Sequence, residues 1–396
     1  MIMRKLILSM AVATMTISAW SCTQSKETKT EKDIEKVMQD NKVVGLAVAV
    51  VKDTNIVYSK AFGLKDIEKN EPLELDDIFR IASISKSFTA TGIMQMVEQG
   101  KIKLEEDVSE LVGYPIRNPK YPDTPITVRM LLSHTSSIND SEGYYQPGVI
   151  NILNPAVNET YANAYNDYEP GTSYEYCNLN FNMMGTILEK VSGERFDKYI
   201  VNHILKPIDV EGGYEVATLD STKFVTLYEY DAVNDKFIPS PEAYAPRRDQ
   251  IANYEFGFST PVFSPTGGMK LTPIGLAKVM MMHMHKGLAY NNGQPVRVIE
   301  ESSAEIMQSR IAYPTDEGDA YGFAIRTTEQ LIDGVLMKGH TGGAYGVLTA
   351  MFWQPDENWG LIIMTNGCNE KRDHNFMTIH RDAARVLYNN WIAKDK

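Results

Sequence analysis

Ser83-Ile84-Ser85-Lys86 opens a stretch in which Lys86 is the only charged side chain between Ile81 and Val97. Residues 85–99 carry a helical pattern that closes at Gly100, a left-handed position after a helix end that glycine fills without a Cβ penalty. A helix this poor in charge is a mostly buried one. Burying a lone ammonium costs several kcal/mol unless the group is paired or deprotonated, so Lys86 calls for a reason beyond packing. Residues three apart share a helix face. Ser83 and Lys86 therefore point at one volume, and a neutral amine beside a hydroxyl makes a base and nucleophile pair.

Sheet-forming segments lie at both ends of the chain. Residues 43–51 are apolar, turn at Lys52-Asp53-Thr54-Asn55, and continue through residues 56–62, which predicts a hairpin. Residues 347–353 and 360–365 form a second β-rich pair around Pro355-Asp356-Glu357-Asn358. After it, Ile379, Ala383, Val386 and Leu387 mark the inward stripe of a charged helix. The middle is richer in helices and loops, with Met184, Ile187, Leu188 and Val191 at helical spacing and another helix opening at Pro273. The expected fold class is α+β, an antiparallel sheet built from both termini, flanked by helices, with an inserted mainly helical subdomain. The tyrosine-rich residues 139–167 have no clean period and suggest either a lid or an ordered surface excursion.

The 396 residues are 43% hydrophobic and 23% charged, the balance of a globular protein with a sizeable core, and the net charge of −12 argues against nucleic acid as a partner. Arg4 and Lys5, an apolar stretch over residues 6–17, and the small residues Ala19 and Ser21 describe an export signal. Cys22 follows, then polar sequence. Residues 1–21 thus resemble a bacterial lipoprotein signal, although Trp20 stands where a small residue is usual. On that resemblance Cys22 would be lipidated and tied to a membrane, residues 22–40 would be a polar tether, and residues 41–396 a single catalytic domain in the cell envelope. With Cys22 so used, only Cys177 and Cys368 could pair, and no histidine spacing suggests a metal site.

Two further segments carry chemistry. Tyr176-Cys177-Asn178 stands at the mouth of the helix of Met184 and Val191, after the turn at Pro170-Gly171. His340-Thr341-Gly342-Gly343 precedes the carboxy-terminal hairpin, and glycines in or beside a strand mark a place where another backbone or a ligand comes close.

Taken in order, Ser83-Ile84-Ser85-Lys86, Tyr176-Cys177-Asn178 and His340-Thr341-Gly342 resemble the serine, tyrosine and strand motifs of class C β-lactamases. The DD-peptidases, D-aminopeptidases and class-C-like esterases related to them share these motifs. Phe79-Arg80-Ile81-Ala82, Leu131-Leu132-Ser133-His134-Thr135-Ser136 and Gly267-Gly268-Met269 are similar to the same family. The resemblance implies a β-lactamase/transpeptidase-like fold and a serine acyl hydrolase needing no cofactor or metal. In it Ser83 is acylated, Lys86 and Tyr176 handle the proton, and either could be the general base. Asn178, His340, Thr341 and Gly342 would bind substrate, and the backbone N–H groups of Ser83 and Gly343 would form the oxyanion hole.

His340 departs from the lysine common at its place. A mostly neutral imidazole weakens any fixed cation for a substrate carboxylate, which disfavours β-lactam turnover and leaves D-amino-acid peptides, amides and esters. Lys338, two residues earlier on the same strand face, is a candidate replacement for that charge. A non-catalytic cell-envelope protein binding peptidoglycan peptides in the same pocket is the alternative.

Overall fold

The computed structural model describes residues 25–145, 148–314 and 318–393. The export signal and Cys22 lie outside the described residues. Eight antiparallel strands form the main sheet: β1 (Gly45–Lys52), β2 (Asn55–Asp66), β3 (Glu71–Pro72), β4 (Ala320–Tyr321), β5 (Arg326–Thr328), β6 (Met337–Ala344), β7 (Val347–Gln354) and β8 (Trp359–Thr365). Their order is β4-β5-β6-β7-β8-β1-β2-β3, so the amino-terminal hairpin joins the carboxy-terminal one where β1 pairs with β8.

Residues alternate between the faces of a strand, so a strand covered on both sides reads as an unbroken apolar run. That is why β1 reads Gly-Leu-Ala-Val-Ala-Val-Val. Its Ala47, Ala49 and Val51 enter one core, while Leu46, Val48 and Val50 enter a second. The first core packs against helices α2 (Ser85–Glu98), α3 (Asn178–Ser192) and α4 (Pro273–Met284). The second lies under α1 (residues 25–40) and α5 (Thr378–Leu387). The fold is the expected α+β arrangement.

One expectation is corrected. Residues 25–40 are a helix docked on the sheet, whereas the polar composition of 22–40 points to a tether with nothing to bury. Thr30, Ile34 and Val37 recur at helical spacing on one face, and all three are buried. A stripe that narrow leaves the segment polar in composition. The Trp391 indole donates to Thr30 Oγ1 at 3.0 Å, and Asn390 Nδ2 donates to Asp33 Oδ2 at 3.1 Å, fixing α1 to the end of the chain.

The described residues of this tyrosine-rich segment, 139–145 and 148–167, form an ordered excursion anchored by the buried side chains of Leu153, Ala164 and Tyr165. Cys177 and Cys368 are both buried free thiols. Helix α2 ends as its pattern predicts, with Gly100 at φ 68°.

Candidate active site

Ser83 lies in a 3-10 turn, Ala82–Ile84, that runs directly into α2. Ala82 holds φ 46°, a left-handed conformation that a residue with a Cβ adopts only under constraint. Ser85 supplies part of that constraint, since its hydroxyl donates to Ala82 O at 2.6 Å and accepts from Met269 N–H at 3.0 Å. Strand β6 closes on the same turn. A Cβ on Gly342 would come within 2.3 Å of Ile81 O and 2.4 Å of Thr349 Oγ1, so only glycine permits this approach. The glycine signal in the strand motif is therefore explained by backbone against backbone.

Lys86 is completely buried and makes three polar contacts. Its Nζ lies 2.8 Å from Asn178 Oδ1, 3.0 Å from Thr266 O and 3.3 Å from Ser83 Oγ. Burial pulls its pKa from 10.5 down to about 7, against a smaller opposing pull from the negative charge of Asp140. The neutral amine has two N–H donors and one lone pair. Asn178 Oδ1 and Thr266 O accept the two hydrogens, which leaves the lone pair for the Ser83 hydroxyl. The amide of Asn178 is held in that sense because its Nδ2 donates to Asp140 Oδ2 at 2.9 Å.

Asp140 also organises the start of α3. The N-cap residue, Cys177, makes no side-chain cap. Asp140 provides one from a distant loop, accepting from Asn178 N–H and Leu179 N–H, each at 2.9 Å. A carboxylate at this end also meets the positive pole of the helix.

Tyr176 is half-buried, and its ring lies 4.8 Å from Lys86 Nζ. Burial pushes its phenol well above the usual range, opposed in part by a hydrogen bond with Ser83. The phenol therefore keeps its proton at neutral pH. His134 sits behind it at 4.4 Å between ring centroids, with Nδ1 accepting from Cys177 N–H at 3.1 Å.

His340 is buried, and burial lowers its pKa to about 3, with Lys86 adding to the effect. Its Nδ1 lies 2.5 Å from the carbonyl of Thr341, which can only accept, so Nδ1 carries the hydrogen. Nε2 is then the acceptor for the Tyr321 hydroxyl at 2.9 Å. His340 is a neutral imidazole with both nitrogens engaged.

These groups open on a cavity of about 360 Å³ lined by Ser83, Tyr176, His340, Thr341, Gly342 and Gly343 among others. The structure thus gathers Ser83, Tyr176, His340, Thr341, Gly342 and Gly343 on one cavity wall, with Lys86 behind Ser83. Asn178 stands behind Lys86 with its amide occupied on both sides, and it is absent from the cavity lining. Its geometry is that of a positioning residue for Lys86.

Lys338 does not line the cavity. It shares His340's strand face but sits beyond the cavity edge, with Asp356, Arg310, Lys286 and Glu305 as its charged neighbours. Arg326, directly across from Gly339 in the β5–β6 pair, is the cation in the cavity wall, ion-paired to Asp319 and stacked 4.7 Å over Phe376. Arg372 adds an exposed second cation at the rim. Asp140, Thr266, Tyr321, Asp319 and Arg326 carry no signal in the sequence alone. Asp140 and Thr266 act through partners distant in the chain, Tyr321 meets His340 across 19 residues, and Asp319 and Arg326 pair with each other seven residues apart in no periodic pattern.

The family profile described as Beta-lactamase matches residues 30–385. Protein flp of Staphylococcus aureus (strain N315) is 24% identical over 349 residues, covering 87% of this chain. The chain spans only 64% of that relative's length. The octameric penicillin-binding protein homologue from Pyrococcus abyssi superposes with a TM-score of 0.71 at 25% identity, over 91% of this chain and 77% of the other. The D-amino acid amidase from Ochrobactrum anthropi SV3 shares the fold with a TM-score of 0.70 at 18% identity, over 92% of this chain and 99% of the other.

Proposed function

This chain belongs to the beta-lactamase family of serine hydrolases, and from that premise we propose that it is an exported acyl hydrolase of D-amino-acid peptides, amides or esters. Ser83 is the nucleophile. The observation that carries the reading is the buried amine of Lys86, whose two hydrogens have acceptors other than Ser83 and whose pKa is brought to about 7. Lys86 takes the Ser83 proton as Oγ attacks the carbonyl carbon. The Tyr176 phenol, kept protonated by burial, is placed to give a proton to the departing amine or alcohol and to be restored when water deacylates the serine. Backbone N–H groups of Ser83 and Gly343 receive the developing oxyanion, a role in which a single donor contributes roughly a hundred- to a thousandfold in rate.

The neutral state of His340 supports weak or absent β-lactamase activity, because that strand presents no fixed cation to the cavity. Arg326 and Arg372 on the far wall favour substrates with a carboxylate or other acceptor beyond the scissile bond. The amidase named above is a fold relative, and an amide substrate is compatible with the same site here. A lipid anchor at Cys22 places the enzyme at the cell envelope. No helix among the described residues is long and apolar enough to cross a membrane.

The test is a hydrolysis panel of a cephalosporin, a D-Ala-D-Ala peptide, a D-amino-acid amide and a short-chain ester, beside a fluorescent fluorophosphonate label. Turnover of one of the last three with labelling lost in Ser83→Ala is expected. Equal labelling of parent and Ser83→Ala would end the catalytic reading in favour of a binding role. Radiolabelled palmitate incorporation that survives Cys22→Ser would remove the anchor.

A further inference from the structure

A second group of buried cations lies on the other side of the strand that leads into Ser83. Arg80 and Lys270 face each other in the short antiparallel pair Phe79–Arg80 with Lys270–Leu271, and both are almost fully buried. Like charges directly opposite in a sheet destabilise it. Arg247, held at φ 48°, brings a third positive charge to the same small cavity. Among the described residues, none of the three is joined to a carboxylate. The Arg80 guanidinium donates to Ala243 O at 3.2 Å, Lys270 Nζ to Tyr214 O at 2.5 Å and Arg247 to Val262 O at 3.1 Å. Glu215, which also lines the cavity, is held by Arg195 and Lys198, and Glu242 is exposed at the edge.

Two further polar atoms in this wall have no partner. Arg80 Nε and Ser264 Oγ are buried and without a hydrogen bond, although each residue is at most 5% exposed. Two guanidinium groups, a lysine amine whose charge is opposed by burial and by Arg80 and Arg247, an unused N–H and an unused hydroxyl line one cavity with no anionic acceptor among them. The cavity offers about 20 Å³ to a water-sized group, which suits one small species. We propose that this cavity is a binding site for a single small monovalent anion, chloride in size, held by Arg80, Lys270, Arg247 and Ser264.

The site has a route to the catalytic groups through backbone alone. Arg80 precedes Ser83 by one turn of chain, and Ile81 N–H donates to Met269 O at 3.0 Å. Ser264, Gly268 and Lys270 bracket Thr266, whose carbonyl receives Lys86. An anion that neutralises Arg80 and Lys270 thus ties together the two strands that set Ser83 and Lys86.

The experiment exchanges the purified protein into sodium gluconate and titrates in sodium chloride at constant ionic strength, following melting temperature and chlorine NMR line width. A saturable rise in melting temperature and excess line broadening are expected, both lost in Lys270→Met. That variant should be at least as stable as the parent in gluconate, because one member of the repelling pair is gone. If Lys270 instead sheds its proton and no halide binds, chloride and gluconate will give the same melting temperature and the proposal falls. Should Lys270→Met fail to fold, Arg247→Gln carries the same comparison. Full retention of the chloride response in either folded variant overturns the assignment.

Discussion

The rate at which Ser83 is acylated should follow the titration of Lys86. A free lysine near 10.5 leaves about one molecule in three thousand with a neutral amine at pH 7, whereas a value of about 7 leaves about half. The displacement corresponds to about 5 kcal/mol of bias against the charged form, a magnitude consistent with an ammonium sealed from water. Labelling by a fluorophosphonate, measured as an initial rate from pH 5 to 10, should therefore rise along a limb centred near pH 7. At pH 5 it should be about a hundredfold below the plateau. Lys86→Arg keeps a cation of similar reach that does not deprotonate, and the plateau should fall by about two to four orders of magnitude at every pH. Tyr176→Phe should lower the plateau and leave the limb where it is, because the phenol is protonated throughout. Stability gives an independent reading. The folded pKa lies below the unfolded one, so between about pH 7 and 10.5 the unfolded chain binds the additional proton, and stability rises with pH across that window. Lys86→Met should lack this rise in urea titrations. A flat rate profile, or a limb centred near pH 10, would refute the assignment of Lys86 as a neutral base.

Asp140→Ala removes the cap of α3 and frees the Asn178 amide to turn, so it should cost about 1–2 kcal/mol in chemical denaturation and slow Ser83 labelling as well. Gly342→Ala would drive a methyl into Ile81 O and Thr349 Oγ1, with an expected loss of about 1–3 kcal/mol and a fall in labelling rate. Gly343→Ala meets the Leu348 side chain at 3.3 Å and Val347 O at 4.0 Å, and should be much milder in stability. Burial lowers His340 to about 3 and His283 and His380 to about 4, and sets His134 well below 6.5. The unfolded chain takes up these protons first, so stability should be lost as pH falls from about 6.5 towards 4. His283→Gln should make that loss shallower in urea midpoints compared at pH 5 and pH 7.

Much of the molecule was legible from local patterns. The apolar run of residues 43–51 and the turn after it identified a hairpin, and the structure adds that its first strand is buried on both faces. The single charge in residues 81–97 identified the buried lysine. The segment 25–40 misled because Thr30, Ile34 and Val37 form a stripe only one residue wide, which composition does not distinguish from a solvated tether. The charge proposed for Lys338 went to Arg326 because the cavity ends before Lys338, and that edge is set by how β5 lies against β6.

By itself, the order of residues determined the fold class, the pairing of the two ends in one sheet, and the shared helix face of Ser83 and Lys86, while Tyr176 was singled out by the family resemblance of its motif. These depend on periodicity and spacing, which are properties of neighbouring residues. Tertiary structure alone decided how the proton is held. The acceptors that turn the Lys86 lone pair towards Ser83 come from Asn178 and Thr266, 92 and 180 residues away, and the water exclusion that lowers its pKa comes from packing of the whole core. Protonation depends on desolvation and on partners remote in the chain, and neither is written in any local stretch.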